Sequence, residues 1–99
     1  MYITFTSSKV DEKQSREVGE FLADFMTKFK LQAGDLSIYN FNRPEKGDET
    51  TITIWENEAA VQANRQSKLI KEPMAFEATH NLPTTREGYE LIYAASKQI

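Results

Sequence analysis

The chain has 99 residues, of which 39% are hydrophobic and 27% are charged, and its formal net charge is -3. These values are ordinary for a globular protein, and the length predicts one domain spanning residues 1–99. The mildly acidic balance, without a basic stripe, argues against nucleic acid as a partner, because phosphate neutralisation supplies most of that affinity.

The residue types also limit the chemistry. The sequence contains no cysteine, which excludes disulfides, a thiol nucleophile and cysteine-based metal sites. One histidine with scattered acids is too little for a zinc or iron site, so we expect no metal. No stretch approaches the roughly 20 apolar residues of a membrane span, and residues 1–10 lack the charged start and apolar run of a signal peptide. We therefore expect a cytoplasmic protein with no membrane partner.

The first half of the chain predicts a strand, a long helix and a hairpin. Residues 2–8 are rich in β-branched and aromatic types that alternate as in a strand. Residues 11–31 carry one apolar stripe at helical spacing, with charges on the opposite face. Residues 35–43 and 49–55 alternate with period two on either side of a Pro- and Gly-containing turn at 44–48. The members of the helical stripe are Val18, Phe21, Leu22, Phe25, Met26 and Phe29.

A second helix is predicted directly after the only tryptophan, Trp55. Asn57 can cap its start by accepting a hydrogen bond from a free backbone N–H, and the helix then runs to about residue 66. Its small residues include Ala59, Ala60 and Ala63. Small side chains on an inner face either pack very close to a sheet or leave room for a ligand, and the sequence leaves both open.

The last third predicts one more helical segment and one more strand. Pro73 suits the first position of a helix, where its missing N–H costs nothing. Residues 81–85 read as a loop, residues 88–95 as the final strand and residues 96–99 as a frayed tail.

The order strand, helix, strand, strand, helix, strand is typical of an α+β, ferredoxin-like fold with a four-stranded antiparallel sheet. Two helices would cover one face of that sheet. The other face would carry either Ile3, Phe5, Ile52 and Ile54, or the Tyr89, Leu91 and Tyr93 set with Trp55. Because both alternatives are apolar, we predict a homodimer in which two sheets pack through this open face.

The strand end and helix start IWENEAAVQA, at residues 54–63, resembles a recurring pattern of the antibiotic biosynthesis monooxygenase domain family, in the dimeric α/β-barrel superfamily. The resemblance spans nearly the whole chain in element order. It implies a cofactor-independent monooxygenase that oxidises a small quinol- or polyphenol-like aromatic. Haem-degrading members carry a second tryptophan and a later histidine, where this chain has Asn64 and a residue near Met74. The histidine that many quinol-type members carry is also absent, since Ser67 to Leu69 stand there.

Cofactor-free oxygenation needs an apolar, shielded site with a base or hydrogen-bond acceptor and polar groups that stabilise an anion. We predict such a site between the helices and the sheet. The candidate catalytic residues are Asn64 and His80, and the candidate substrate-binding residues are Phe25, Phe29, Trp55, Ala60 and Phe76.

Each candidate has a structural alternative. Trp55 can be a packing anchor, because large aromatics dominate core burial. His80 can be a solvated loop residue, and Asn64 a surface residue of the helix. Asp48 and Glu49 are interpreted as turn acids. The alternative function is a non-catalytic dimer of the same fold that binds a small ligand or serves in a stress response.

Overall fold

The structure is a computed structural model, which describes residues 1–29 and 33–95. The predicted end of the first helix at Leu31 and the predicted tail at residues 96–99 lie outside these residues. The elements are β1 (Tyr2–Lys9), α1 (Ser15–Phe29), β2 (Asp35–Arg43), a short 3-10 turn (Pro44–Lys46), β3 (Asp48–Trp55), α2 (Glu58–Arg65), α3 (Lys71–Thr79) and β4 (Thr84–Glu90).

The strands form one antiparallel sheet in the order β2-β3-β1-β4. The central pair aligns along its whole length, from Tyr2 opposite Trp55 to Lys9 opposite Asp48. Strand β4 joins the free edge of β1, and β2 joins the free edge of β3. This confirms the α+β, ferredoxin-like fold that the element order predicts.

Helix α1 begins at Ser15, later than the predicted start at Asp11, because Asp11 first turns the chain. Its Oδ1 accepts a 2.7 Å hydrogen bond from the backbone N–H of Gln14. Its carbonyl accepts one of 3.1 Å from the N–H of Ser15. These bonds occupy N–H groups that have no partner within a helix at its first turn. The predicted apolar stripe is confirmed, since all its members are buried or half-buried.

The start of α2 is as predicted. Asn57 has an extended backbone, and its side-chain oxygen accepts a 2.9 Å bond from the N–H of Ala60. Helix α3 begins at Lys71, two residues before Pro73, so this proline lies in the first turn and not at the first position. Both placements suit a residue without an N–H.

The last strand lies earlier than predicted, because β1 limits how far β4 can pair. Thr84 and Thr85, predicted as loop, are already opposite Ser8 and Ser7. Beyond Glu90, which is opposite Tyr2, β1 offers only the carbonyl of Met1, which accepts a 2.9 Å bond from the N–H of Leu91. The remaining residues of the predicted strand, 92–95, therefore have no strand partner in the described chain.

The core is divided between the two ends of the sheet. At one end Trp55 packs with Phe25, Phe29 and Val61. At the other end Val10 and its neighbours form a second cluster. The helix layer therefore packs on the sheet through two separate clusters. The second cluster consists of Val10, Val18 and Leu82, with Leu22 and Phe76 packed against it.

Candidate functional site

The two central strands of the sheet, β1 and β3, turn a row of hydroxyl groups towards the helices. Thr4 lies opposite Thr53 and Thr6 opposite Thr51, and residues directly opposite each other share a face. Trp55 is in phase with these threonines and also faces the helices. We call the inner-facing set Thr4, Thr6, Ser8, Thr51 and Thr53 the hydroxyl floor.

The hydroxyl floor leaves a cleft beneath the helices, with a volume of about 510 Å³. Four phenylalanines of α1 and α3 form its aromatic roof, which consists of Phe21, Phe25, Phe29 and Phe76. A second, smaller pocket of about 140 Å³ lies behind Glu49, which lines both. The polar inner face explains the cleft. Threonine hydroxyls offer the helices little apolar surface to bury, so the helices do not pack closely against this part of the sheet.

Trp55 closes one end of the cleft. Only 2% of its surface is exposed, and its ring meets that of Phe29 edge to face, with centroids 5.4 Å apart. Its Nε1 donates a 2.9 Å hydrogen bond to the hydroxyl of Thr4. Trp55 is therefore both the packing anchor that the sequence suggests and part of the cleft wall.

Phe76 is held from two sides within the roof. Its ring stacks on Phe21 at 4.1 Å, and the ring of His80 stacks on its other side, also at 4.1 Å. The Nδ1 of His80 lies 3.0 Å from the carbonyl oxygen of Phe76, and its Nε2 lies 3.0 Å from a carboxylate oxygen of Glu17. His80 thus ties α3 to α1 from behind Phe76 and does not line the cleft.

Asn64 and Ala60, both on α2, have different positions. Asn64 is 6% exposed and lines the cleft. Ala60 does not line it and instead packs against Gly34, where an added Cβ would lie 2.5 Å from the Ala60 Cβ. Ala59 and Ala63 are exposed. Of the two possibilities for these small residues, close packing applies at Ala60.

Acidic and basic groups gather at the end of the cleft away from Trp55. Arg86 donates two hydrogen bonds to the carboxylate of Glu77, of 3.0 and 2.6 Å, and so joins β4 to α3. Glu49 is only 5% exposed. Its Oε1 accepts a 3.2 Å bond from the Nδ2 of Asn42. This end of the cleft therefore carries charged groups beside apolar side chains of the second cluster, among them Val18, Leu22 and Leu82.

The structure brings together five of the seven candidates, and it adds one that sequence reasoning missed. Glu49 was interpreted as a turn acid, but it lies on β3 and is buried. The period of two that places Trp55 and Thr53 on one face also places Glu49 there. This alternation along β3 is the feature of the sequence that could have identified Glu49 as an inner-facing residue. The candidates that line the cleft are Phe25, Phe29, Trp55, Asn64 and Phe76, and those that do not are Ala60 and His80.

The outer face of the sheet is apolar and carries the first of the two predicted sets, whereas Trp55 of the second set faces the helices. The register places Ile3 opposite Ile54 and Tyr89, on the face away from Trp55. Tyr39, Phe41 and Tyr89 are 59%, 49% and 51% exposed. We call this set the outer face; its large members are Ile3, Phe5, Tyr39, Phe41, Ile52, Ile54 and Tyr89.

Within residues 1–29 and 33–95, no group of three or more histidine, aspartate or glutamate side chains could hold a metal ion. None of the helices in this part of the chain has the length and apolar character needed to cross a bilayer.

Solved structures share this fold. The chain superposes with a TM-score of 0.87 on a provisionally named antibiotic biosynthesis monooxygenase from Deinococcus radiodurans, at 13% identity and with 99% of each chain covered. A second structure described as an antibiotic biosynthesis monooxygenase gives 0.79, at 13% identity, covering 94% of this chain and all of that one (100%). A Nitrosomonas europaea protein of unknown function gives 0.80, at 20% identity, covering 98% and 94%. No protein-family model and no curated protein matches the chain. At these identities the likeness establishes the fold that the sequence resemblance implied.

Proposed function

We propose that this protein is a homodimeric monooxygenase of the antibiotic biosynthesis type, which oxidises a small quinol- or polyphenol-like aromatic with dioxygen and without a cofactor. The observation that carries the proposal is the cleft of about 510 Å³ between an aromatic roof and a hydroxyl floor. Small-molecule sites typically measure about 300–1,000 Å³ and combine apolar walls with a few polar groups. The fold shared with structures described as antibiotic biosynthesis monooxygenases supports the reaction class.

The reaction requires little chemistry from the protein. An electron-rich substrate such as an anthrone loses a proton, and its anion transfers an electron to dioxygen before the new C–O bond forms. In the net reaction a CH₂ group and O₂ become a C=O group and one water molecule, so the carbon is oxidised by four electrons and O₂ is reduced by four. The protein contributes an apolar site and positioned polar groups that stabilise the anion.

The proposed roles follow from the positions of the side chains. The aromatic roof and Trp55 hold the rings of the substrate, since offset and edge-to-face ring contacts are favourable. Asn64 lies on the cleft wall, where an amide can stabilise a developing oxyanion. His80 supports Phe76 from behind, and Ala60 sets the distance between α2 and β2, so neither contacts the substrate directly.

The homodimer is part of the proposal, with the outer face as its interface. Under a two-fold axis each copy presents the same patch, so an apolar sheet face is self-complementary. The exposed rings of Tyr39, Phe41 and Tyr89 would then lose their contact with water, which favours association. The cytoplasmic location expected from the sequence also belongs to the proposal and can be checked by cell fractionation.

A second candidate function is a dimer that binds a small aromatic without converting it. The observation that favours it is the position of His80, whose two ring nitrogens are engaged by Phe76 and Glu17 and which does not line the cleft. In that case the cleft would bind an aromatic, but no group would take its proton.

Oxygen uptake separates the two functions. The purified protein is mixed with anthrone or a reduced naphthoquinone under air, with the spontaneous rate subtracted. We expect consumption of one O₂ for each anthrone converted, with formation of the corresponding quinone. A folded protein that binds these compounds and shows no uptake above the spontaneous rate would support the binding function instead.

A further inference from the structure

One buried carboxylate oxygen in the cleft lacks a hydrogen-bond donor in the part of the chain that the structure describes. Glu49 is 5% exposed, and while its Oε1 accepts a bond from Asn42, its Oε2 is buried and receives no hydrogen bond within the described residues. Leaving a charged or polar atom buried without a partner costs free energy. Such an atom in a folded protein needs an explanation, and a ligand that brings its own donor is one.

The neighbouring charges do not supply that donor. The neighbouring residue Asp48 forms ion pairs with both nearby cations, Lys9 and Arg43. In the cleft, Arg86 is paired with Glu77. Arg65 also lines the cleft, but neither it nor any other cation of residues 1–29 and 33–95 forms an ion pair with Glu49. The carboxylate of Glu49 is therefore buried without a cationic partner in this part of the chain.

Glu49 and Trp55 mark the two ends of the same cleft. Both lie on the inner face of β3, and the strand between them spans about 20 Å at roughly 3.3 Å per residue. An aromatic molecule with a hydroxyl group would place its rings under the aromatic roof and direct the hydroxyl towards Glu49. The hydroxyl floor can accept or donate further bonds along the way.

We propose that Glu49 is the hydrogen-bond acceptor for an acidic phenolic or enolic hydroxyl of the ligand and, if the proposed function holds, the base that takes the substrate proton. In that step the substrate O–H bond, or the C–H bond of the tautomeric ketone, breaks. The proton moves to Oε2 of Glu49, and the electron pair stays on the substrate as the enolate. No oxidation occurs in this step; the enolate then reacts with O₂.

The binding part is tested without turnover. The probes are 2-hydroxyanthraquinone and 2-methoxyanthraquinone, which differ in the O–H and are not oxidised. Binding is followed by quenching of the fluorescence of Trp55, the only tryptophan. A hydrogen bond to a charged acceptor corresponds to roughly a tenfold to hundredfold preference for the hydroxyl compound.

The variants are Glu49→Gln and Glu49→Leu, with Glu45→Gln as a matched control because Glu45 is an exposed acid in the same hairpin. We expect the preference to shrink in Glu49→Gln, to disappear in Glu49→Leu and to persist in the control. Glu49→Gln keeps the shape of the side chain and an oxygen that can accept the bond from Asn42. If Glu49→Leu does not fold, the preference measured in Glu49→Gln alone tests the proposal. An unchanged preference in Glu49→Gln and Glu49→Leu would overturn the proposal, as would equal binding of the two probes by the wild type.

The catalytic part uses the oxygen-uptake assay. Loss of a general base typically lowers the rate by about 10²–10⁴-fold. We expect Glu49→Ala to lose turnover by that order and added formate to restore part of it, which a purely structural role would not allow. If the wild type shows no turnover, the proposed function fails, while the probe preference still decides whether Glu49 accepts the hydroxyl. Full activity in Glu49→Ala would remove Glu49 as the base.

Discussion

The indole Nε1 of Trp55 donates a 2.9 Å hydrogen bond to the hydroxyl of Thr4 on the neighbouring strand. The register partner of Trp55 is Tyr2, so the bond runs diagonally across the inner face of the β1–β3 pair. It satisfies the single polar atom of a side chain that is otherwise in contact with Phe29 and its neighbours. The tryptophan is thus oriented by a member of the hydroxyl floor.

Replacing that hydroxyl should destabilise the protein. Thr4→Val keeps the volume but leaves the indole N–H buried without an acceptor, which typically costs about 1–3 kcal/mol in the free energy of unfolding. Thr4→Ser keeps the hydroxyl and should lose less. Urea denaturation followed by the fluorescence of Trp55 measures both. Equal losses in the two variants would mean that the methyl group, not the hydrogen bond, stabilises this end.

A second prediction concerns the contact between Gly34 and Ala60. Gly34 has a φ of 85°, in the region that favours glycine, and an added Cβ would lie 2.5 Å from the Cβ of Ala60. Gly34→Ala should therefore lower the melting temperature through both backbone strain and the clash. Adding Ala60→Gly removes the clash but not the strain, so it should recover part of the loss.

The double-mutant cycle separates the two causes. Ala60→Gly alone is expected to cost no more than about 1 kcal/mol, the intrinsic helix cost of glycine. A coupling energy near zero between the two substitutions would show that the two Cβ positions do not interfere.

A third prediction concerns Asp35, whose carboxylate oxygens are buried and accept no hydrogen bond within the described residues. Burial raises the pKa of Asp35 above its usual value of 3.8. The folded state therefore binds this proton more tightly than the unfolded state, and stability falls as the pH rises through the interval between the two pKa values. Asp35→Asn should stabilise the protein at pH 7, and the gain should vanish below about pH 3.8.

Asp48 provides the control of opposite sign. Hydrogen bonds from Lys9 and Arg43 lower the pKa of Asp48, so its contribution to stability is present above the unfolded pKa and is lost as the pH falls through the folded one. Asp48→Asn should therefore weaken the protein at pH 7 and have no effect at low pH. Thermal melts of both variants from pH 3 to pH 8 test the pair of trends. A loss of stability in Asp35→Asn at pH 7 would contradict the desolvation argument.

A fourth prediction compares the two catalytic candidates from the sequence. Asn64 lines the cleft, whereas His80 lies behind Phe76. Asn64→Leu should lower kcat in the oxygen-uptake assay by about 10–100-fold, the order of one lost charge-stabilising hydrogen bond. His80→Gln should chiefly lower the melting temperature, because it removes the stack on Phe76 and the contact with Glu17. A large loss of kcat in His80→Gln, together with an unchanged kcat in Asn64→Leu, would show that His80 and not Asn64 acts on the substrate.

A fifth prediction concerns the dimer. Ile52 lies on the outer face, opposite Phe5 on one side and Tyr39 on the other. Ile52→Lys would place a charge at the centre of the proposed interface, and burying it there is costly. Light scattering should give a dimer for the wild type and a monomer for this variant. Ala59→Lys, at an exposed position of α2, should remain dimeric. A monomeric wild type at micromolar concentration would refute the interface.

Local sequence patterns were sufficient to predict that each helix and strand exists. The stripe on α1, the cap at Asn57 and the bounds of β2 all follow from side chains within a few positions of each other along the chain. The end of β4 does not, because it depends on where β1 stops offering partners, and Tyr2 is far from Glu90 in the sequence. Pairing between distant segments decides such boundaries.

The sequence by itself determined the order of the elements, and through it the ferredoxin-like fold. It also determined which residues of each strand share a face, because side chains alternate along a strand. It could not decide which face the helices cover. On β3 the isoleucines suggest the inner face by hydrophobicity, yet the helices cover the face of Thr53, Trp55 and Glu49. Only the tertiary structure settles this, because the choice depends on packing between residues far apart in the sequence, such as Trp55 against Phe25 and Phe29 of α1. With the helices on that face, the hydroxyl floor, the cleft and the buried carboxylate of Glu49 lie beneath them.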